Sequence, residues 1–167
     1  MEAGNRCYDD RLPEEANRKI IDSLAKYNLP YTENSKQNLL SEGYHKNYVF
    51  KTGNPIYEVL MKYHNDIGKS VMGYEWGLED INTEKFIDFV LVTAHRTENV
   101  DNEETLRSIV NALNEIAENY KVVFSLHPRT RNKLENFNIV LNKSILVSSP
   151  MGFFDFVYLE KGAMCVI

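Results

Sequence analysis

The chain reads as an α/β protein with parallel strands in a doubly wound sheet, and three features say so. Residues 86–93 and 121–126 are nearly continuous apolar runs of strand length, as expected where a parallel strand is covered on both faces. Between them, 102–119 places Leu106, Ile109, Val110, Leu113 and Ile116 on one helical stripe. The alternation then continues through a polar helix at 130–137, a short strand at 144–147, a helix at 153–160 and a final apolar run at 163–167.

The first third is more helical. Over 12–28 the apolar positions Ala16, Ile20, Ile21, Leu24 and Ala25 recur at helical spacing, and Pro13, Glu14 and Glu15 make a favourable first turn. Asn28-Leu-Pro-Tyr31 breaks that helix. Thr32 or Asn34 then caps a second one, which runs through Leu39, Leu40 and Glu42 to Gly43. A short strand is expected at 48–50, a turn at Thr52-Gly-Asn-Pro55, and a helix over 56–65. Glycines at 68, 73 and 77 and weak periodicity mark 66–83 as a loop or linker.

Composition narrows the function. With 167 residues, 43% of them hydrophobic, the chain can bury one ordinary core or two small ones. A net charge of -5 argues against a nucleic-acid partner, since phosphate binding rests on an excess of Lys and Arg. No apolar run spans a bilayer and no secretory signal opens the chain, so no membrane association is expected and the location reads as cytoplasmic. Cys7 and Cys165 give neither a disulfide framework nor zinc-site spacing. There is no GxGxxG, no Walker phosphate loop and no metal-ligand cluster, so neither metal nor cofactor is expected.

In parallel sheets the ligand crevice lies past the carboxyl ends of the strands, which singles out two clusters. Thr93-Ala-His95-Arg96-Thr-Glu98-Asn99 follows the first long run, where an imidazole and a guanidinium near a helix N-terminus suit a diphosphate. The same residues would equally cap a turn and pair with Glu98 or Glu103. His127-Pro-Arg129-Thr-Arg131 follows the second run and suggests an anion; a solvated basic turn is its plain alternative. A third cluster, Glu2-Ala-Gly-Asn-Arg6 with Arg11-Leu-Pro-Glu14-Glu15-Ala-Asn17-Arg18, places carboxylates at 2 and 14 about a loop carrying Arg6, Asp9, Asp10 and Arg11. If that loop folds back, the two converge as an acid and base pair; otherwise they are surface charges. Cys7 reads as a spectator thiol, His45 and His64 as exposed, and Trp76 as a packing residue.

Taken together, Glu-Ala-Gly-Asn-Arg at 2–6, Pro-Glu-Glu-Ala-Asn-Arg at 13–18, Gly53-Asn54, Val-Thr-Ala-His-Arg-Thr-Glu-Asn at 92–99 and His127-Pro-Arg resemble the non-hydrolysing UDP-N-acetylglucosamine 2-epimerase family, in order and spacing across the whole chain. The resemblance implies two Rossmann-like domains around a cleft, the GT-B arrangement, both incomplete in this chain. Residues 1–53 would close the N-terminal domain, and 54–167 would supply a hinge helix and the start of the UDP-binding domain.

It also implies chemistry: elimination of UDP to a 2-acetamidoglucal, then re-addition after a proton returns to the opposite face of C2. Glu2 and Glu14 are the implied catalytic carboxylates, with His95 on the UDP phosphate side. Arg18 would orient sugar or carboxylates, and Arg6 and Arg96 would bind substrate. Met151, through its backbone, and Phe156 would surround the uracil, and His127 would line a neighbouring nucleotide-sugar site. The implied partners are a UDP-sugar and, at full length, a second copy in a homodimer. The family's opening Gly-rich strand turn and its Asp-Ser-Gly motif do not occur, so this stretch alone is expected to be inactive.

Gly-Asn-Arg-Cys-Tyr-Asp, His-Pro-Arg-Thr-Arg-Asn and Gly-Phe-Phe-Asp-Phe resemble a capsule-related branch that forms UDP-N-acetyl-L-fucosamine from its talose epimer, UDP-2-acetamido-2,6-dideoxy-L-talose. A hydrolysing epimerase, a glycosyltransferase of like architecture and a non-catalytic UDP-binding remnant are the competing readings.

Overall fold

Pro13 opens helix α1 (Pro13–Leu24), where its missing N–H leaves no partner wanting and Glu14 and Glu15 face the positive end of the helix dipole. A computed structural model describes residues 2–9, 12–80 and 82–167, and the chain forms two compact units, Met1–Lys62 and Tyr63–Ile167. The sequence placed its boundary at 53/54; the units divide after the helix that follows.

In the first unit α1 is followed by α2 (Glu33–Ser41), whose cap is Thr32: its hydroxyl accepts from the Ser35 N–H at 3.1 Å. The face of α1 that is buried is not the apolar stripe. Glu15 and Asp22 are inside, while Ile21 and Leu24 are 63% and 81% exposed. Ala3, Leu39 and Val49 form the small apolar core.

The strand expected at 48–50 is instead a 3-10 turn, Lys46–Tyr48, followed by an isolated parallel bridge between Asn28 and Val49. Tyr48 and Phe50 both bond Asn28, and only the Thr52 N–H, to the Pro30 carbonyl at 3.0 Å, continues the pairing, which is too little for a ladder. Gly4 explains how loop and α2 approach so closely: its φ is +74°, and a Cβ there would sit 2.0 Å from the Ser35 carbonyl oxygen. Helix α3 (Ile56–Lys62) ends the unit.

The second unit begins with two short helices, α4 (His64–Ile67) and α5 (Met72–Glu75), and a hairpin of β1 (Glu79–Asp80) with β2 (Lys85–Phe86). The span expected as a loop is therefore structured, because Ile67 and Leu78 are fully buried and pin it. The run expected as one strand at 86–93 is divided: Phe86 belongs to the hairpin and β3 is Phe89–Thr93.

There follow α6 (Thr97–Val100), α7 (Glu103–Ile116), β4 (Lys121–Ser125), α8 (Pro128–Asn136), β5 (Leu146–Ser148), α9 (Phe153–Gly162) and β6 (Cys165–Val166). The strands pair in parallel, as the sequence predicts, and their order is β5-β4-β3-β6.

Residue alternation divides the core into two layers. Val90, Val92, Val122 and Phe124 pack with Leu106, Val110 and Leu113 of α7 on one face; Phe89, Leu91 and Val123 pack with Leu78 and Leu159 on the other. α9 lies close to the hairpin because Gly162 has no side chain: a Cβ there would meet the Phe86 ring at about 2.4 Å. The chain winds from β3 outward to β5, then returns through α9 to β6 on the other side of β3. The strand order thus reverses between β3 and β6, the place where such sheets open a ligand crevice. Among the described residues no helix is long and apolar enough to cross a membrane.

Candidate functional site

The first unit presents Glu2 and Glu14, both exposed. Glu2 has φ +65°, a left-handed backbone conformation that costs a non-glycine residue about 1–3 kcal/mol. Such strain persists where the surroundings over-determine it, and here they do. The Gly4 N–H donates to Asp22 Oδ2 at 3.0 Å, Asn38 Nδ2 donates to the Gly4 carbonyl at 2.9 Å, and Ser35 Oγ donates to Asn5 Oδ1 at 2.6 Å.

Arg6, expected to bind substrate, makes its polar contacts within the first unit. Its side chain is fully buried and bidentate to Glu42, with Nε and Nη2 donating at 2.8 and 2.7 Å. Nη2 also lies 2.8 Å from Asp22 Oδ2, and Nη1 donates to the Asn5 carbonyl. The Glu42 carboxylate foremost, and that of Asp22, hold the guanidinium far above its ordinary value, so it stays charged. These bonds tie the loop that carries Glu2 to Asp22 of α1 and to Glu42.

Glu15, which the sequence reading passed over for its neighbour, does the same for the other side of the loop. Its side chain is fully buried, and Oε2 accepts from the Cys7 N–H at 3.0 Å and from Cys7 Sγ at 3.2 Å. The Cys7 N–H foremost, helped by Lys19 at 3.7 Å, holds this carboxyl below the usual range against the opposing effect of burial. Residues 7 and 8 are thereby folded back onto the first turn of α1, beside Glu14. Asp10 and Arg11 lie outside the described residues.

Arg18 stands one helical turn after Glu14, half-buried, with no ion-pair partner among the described residues. Glu15 and Asp22 were legible as a signal: they are seven apart, on the same helix face, with Lys19 between.

The second unit presents its loops at the carboxyl edge of the sheet. His95 and Arg96, just past β3, are exposed, and the Arg96 guanidinium reaches Glu98 only at 3.9 Å. Glu103 is engaged by Arg107 instead, at 2.7 Å, so the pairing that would have made this cluster a plain cap is weak. His127, just past β4, caps α8: its Nδ1 accepts from the Arg129 N–H at 3.2 Å, which leaves Nε2 to carry the proton of the neutral ring. The His95 and His127 rings lie 6.2 Å apart.

Arg129, counted with the anion-binding cluster in the sequence reading, is spent on Asp101. Its guanidinium bonds both carboxylate oxygens, and Lys133 adds a contact at 3.3 Å. The Arg129 hydrogen bond foremost holds the Asp101 carboxyl below its ordinary range. Met151 and Phe156 are half-buried, their side chains packed against the layer of Leu78, Phe89, Leu91, Val123 and Leu159. A contact of either with a base is thus limited to its exposed part, or to backbone at the former. Among the described residues no three His, Cys, Asp or Glu are grouped to hold a metal ion.

Exposed imidazole and guanidinium groups past the carboxyl edge of a parallel α/β sheet, at its switch point, are chemistry suited to an anionic ligand. The comparisons specify it further. The chain belongs to the UDP-N-acetylglucosamine 2-epimerase family, whose sequence profile matches residues 1–167.

The chain is 36% identical over 173 residues to UDP-N-acetylglucosamine 2-epimerase of Methanocaldococcus jannaschii, covering 100% of this chain and 46% of that protein. The crystal structure of that enzyme with UDP-GlcNAc and UDP superposes with a TM-score of 0.86, over 99% of this chain and 46% of the other. The Neisseria meningitidis enzyme bound to UDP-GlcNAc is similar at 27% identity and TM-score 0.80, over 99% and 46% of the two chains. A Pseudomonas aeruginosa relative, 31% identical over 100% of this chain and 45% of its own length, is a UDP-2,3-diacetamido-2,3-dideoxy-D-glucuronate 2-epimerase. The chain spans about half the length of the curated relatives it matches.

Proposed function

We propose that the full-length protein is a non-hydrolysing UDP-N-acetylglucosamine 2-epimerase, inverting C2 of a UDP-2-acetamido sugar by elimination and re-addition of UDP. In this reading one carboxylate of the pair Glu2 and Glu14 takes the C2 proton while the C1–O bond breaks and its electron pair leaves with UDP. The other returns a proton to the opposite face of the glucal, and UDP adds back at C1. His95 and Arg96 serve the diphosphate, where donors and positive charge stabilise the departing group. His127, Arg18, Met151 and Phe156 remain substrate-side groups, and Arg6 and Glu15 become positioning residues. Cytoplasmic location and a homodimer belong to the same proposal, supported by the family likeness alone.

The observation that carries the reading is the match of the family's profile to every residue of the chain, with His95 and Arg96 free at the switch point as its structural support. The 6-deoxy sugar of the capsule-related branch has no comparable support, and the Pseudomonas relative shows that this architecture accompanies more than one sugar.

The test is solvent-deuterium exchange in the full-length protein with UDP-N-acetylglucosamine. Deuterium should appear at C2 in both substrate and product, with UDP still attached to the sugar. Release of free N-acetylmannosamine would assign a hydrolysing enzyme, and UDP binding without exchange would leave only a binding protein.

A further inference from the structure

The reactive loop of the second unit is held at both ends by one turn of helix. Thr130, in the first turn of α8, is fully buried, and its hydroxyl donates to the carbonyl of Ala94, the residue immediately before His95. At the other end Asp101, which closes α6, is bonded by Arg129 and Lys133 of the same helix. Between these two points lie His95 and Arg96, exposed and with almost no protein partners of their own. Their placement therefore rests on what happens at residues 94 and 101.

We propose that Thr130 is a positioning residue for the phosphate-side chemistry, setting the His95 imidazole through the carbonyl of Ala94. Three observations favour this over simple packing. A fully buried hydroxyl is costly without a partner, and valine would fill about the same volume. The partner it has chosen is not in its own helix but in the loop after the neighbouring strand β3, 36 residues earlier.

The bond also ties the β3 loop to the α8 turn that His127 caps, so the two rings 6.2 Å apart are carried by one cross-linked frame. An imidazole displaced by about 1 Å from a reacting group can lose about a hundredfold in rate, which gives one buried hydrogen bond leverage over turnover.

This inference rests on the reading of His95 under the proposed function, and the experiment separates the two. In the full-length protein, Thr130→Val, Thr130→Ser and Arg129→Gln are compared with wild type by steady-state kinetics on UDP-N-acetylglucosamine and by amide hydrogen exchange over residues 94–101. Thr130→Val is expected to lower kcat about tenfold or more while KM moves less than about threefold, with faster exchange at residues 95–97. Thr130→Ser, which keeps the hydroxyl, should restore both to within about twofold of wild type. Arg129→Gln should speed exchange at 97–101 with a smaller loss of kcat.

Wild-type kinetics and exchange in Thr130→Val would overturn the proposal. So would a Thr130→Ser variant as impaired as Thr130→Val, because then the methyl group matters and not the hydrogen bond. Should Thr130→Val not fold, Thr130→Ala carries the same expectation. If wild type itself fails to exchange the C2 proton, the functional reading falls, and the exchange data alone still decide whether Thr130 holds the loop.

Discussion

The two units fix their exposed candidate groups by opposite means. In the first, the loop bearing Glu2 is tied down by buried charges: Arg6 between Glu42 and Asp22, and Glu15 beneath Cys7. Its apolar core is three residues, and the apolar side of α1 faces outward. In the second, His95 and His127 sit where strand register puts them, above two apolar layers that sandwich β3 and β4.

The contrast shows two ways of holding a side chain still. Ion pairs in a low-dielectric pocket are directional and fail abruptly when one partner goes. A packed sheet holds position through many weak contacts and fails in proportion to the volume removed.

The largest effect expected from this difference is on Arg6. Arg6→Met leaves the buried Asp22 carboxylate without its cation, and breaking that buried pair costs about 3–5 kcal/mol, while Glu42, its side chain 34% exposed, adds little. Chemical denaturation should show the loss, and hydrogen exchange should place it at residues 2–9. A loss under about 1 kcal/mol would mean that the enclosed charges relax into solvent at little cost, and the contrast between the units would collapse.

Next in size is Leu91→Ala in the middle of β3. Leu91 is fully buried between Val123 and Val166, and truncation there costs about 2–5 kcal/mol by cavity formation. Here the exchange pattern should loosen across the whole sheet while residues 2–9 keep their protection. Loosening confined to β3 would argue that the layers are not one cooperative core.

What the sequence revealed follows the same division. The parallel sheet, α7 and α9 were legible because apolar period and burial agree there: Leu106, Val110 and Leu113 form a stripe and are inside. α1 was legible as a helix but not in its orientation, since the stripe of Ile20, Ile21 and Leu24 is the exposed side and Glu15 and Asp22 the buried one. Periodicity reports that a helix has two faces; it does not say which is covered.

At the candidate site, His95, Arg96 and His127 were singled out by their places after strands, and those strands are present. The ion pairs of Arg6 were not legible, because a guanidinium in a motif looks alike whether it meets a ligand or two carboxylates from elsewhere in the chain. Glu42 lies 36 residues from Arg6 and Thr130 lies 36 from Ala94, and no local pattern announces a pairing at that distance.

The smallest expected difference is in response to acid. The folded-state value of Glu15 lies below the ordinary value of 4.5, so its contribution to stability is complete above that value and is lost as pH falls through the lower, folded one. Asp101 in the second unit is likewise lowered, from 3.8, by Arg129. Its side chain is 35% exposed, however, and solvent screens it, whereas that of Glu15 is fully enclosed.

Acidification should therefore disturb the Cys7 amide, which donates to Glu15, before it disturbs β4, whose hydrogen bonds carry no charge. Amide proton shifts followed downward from pH 6 would show the order. In Glu15→Gln the Cys7 shift should lose its titration while that of Val123 is unchanged. If β4 responds at the higher pH, buried charge is not the weaker of the two supports, and some other group governs how the protein opens in acid.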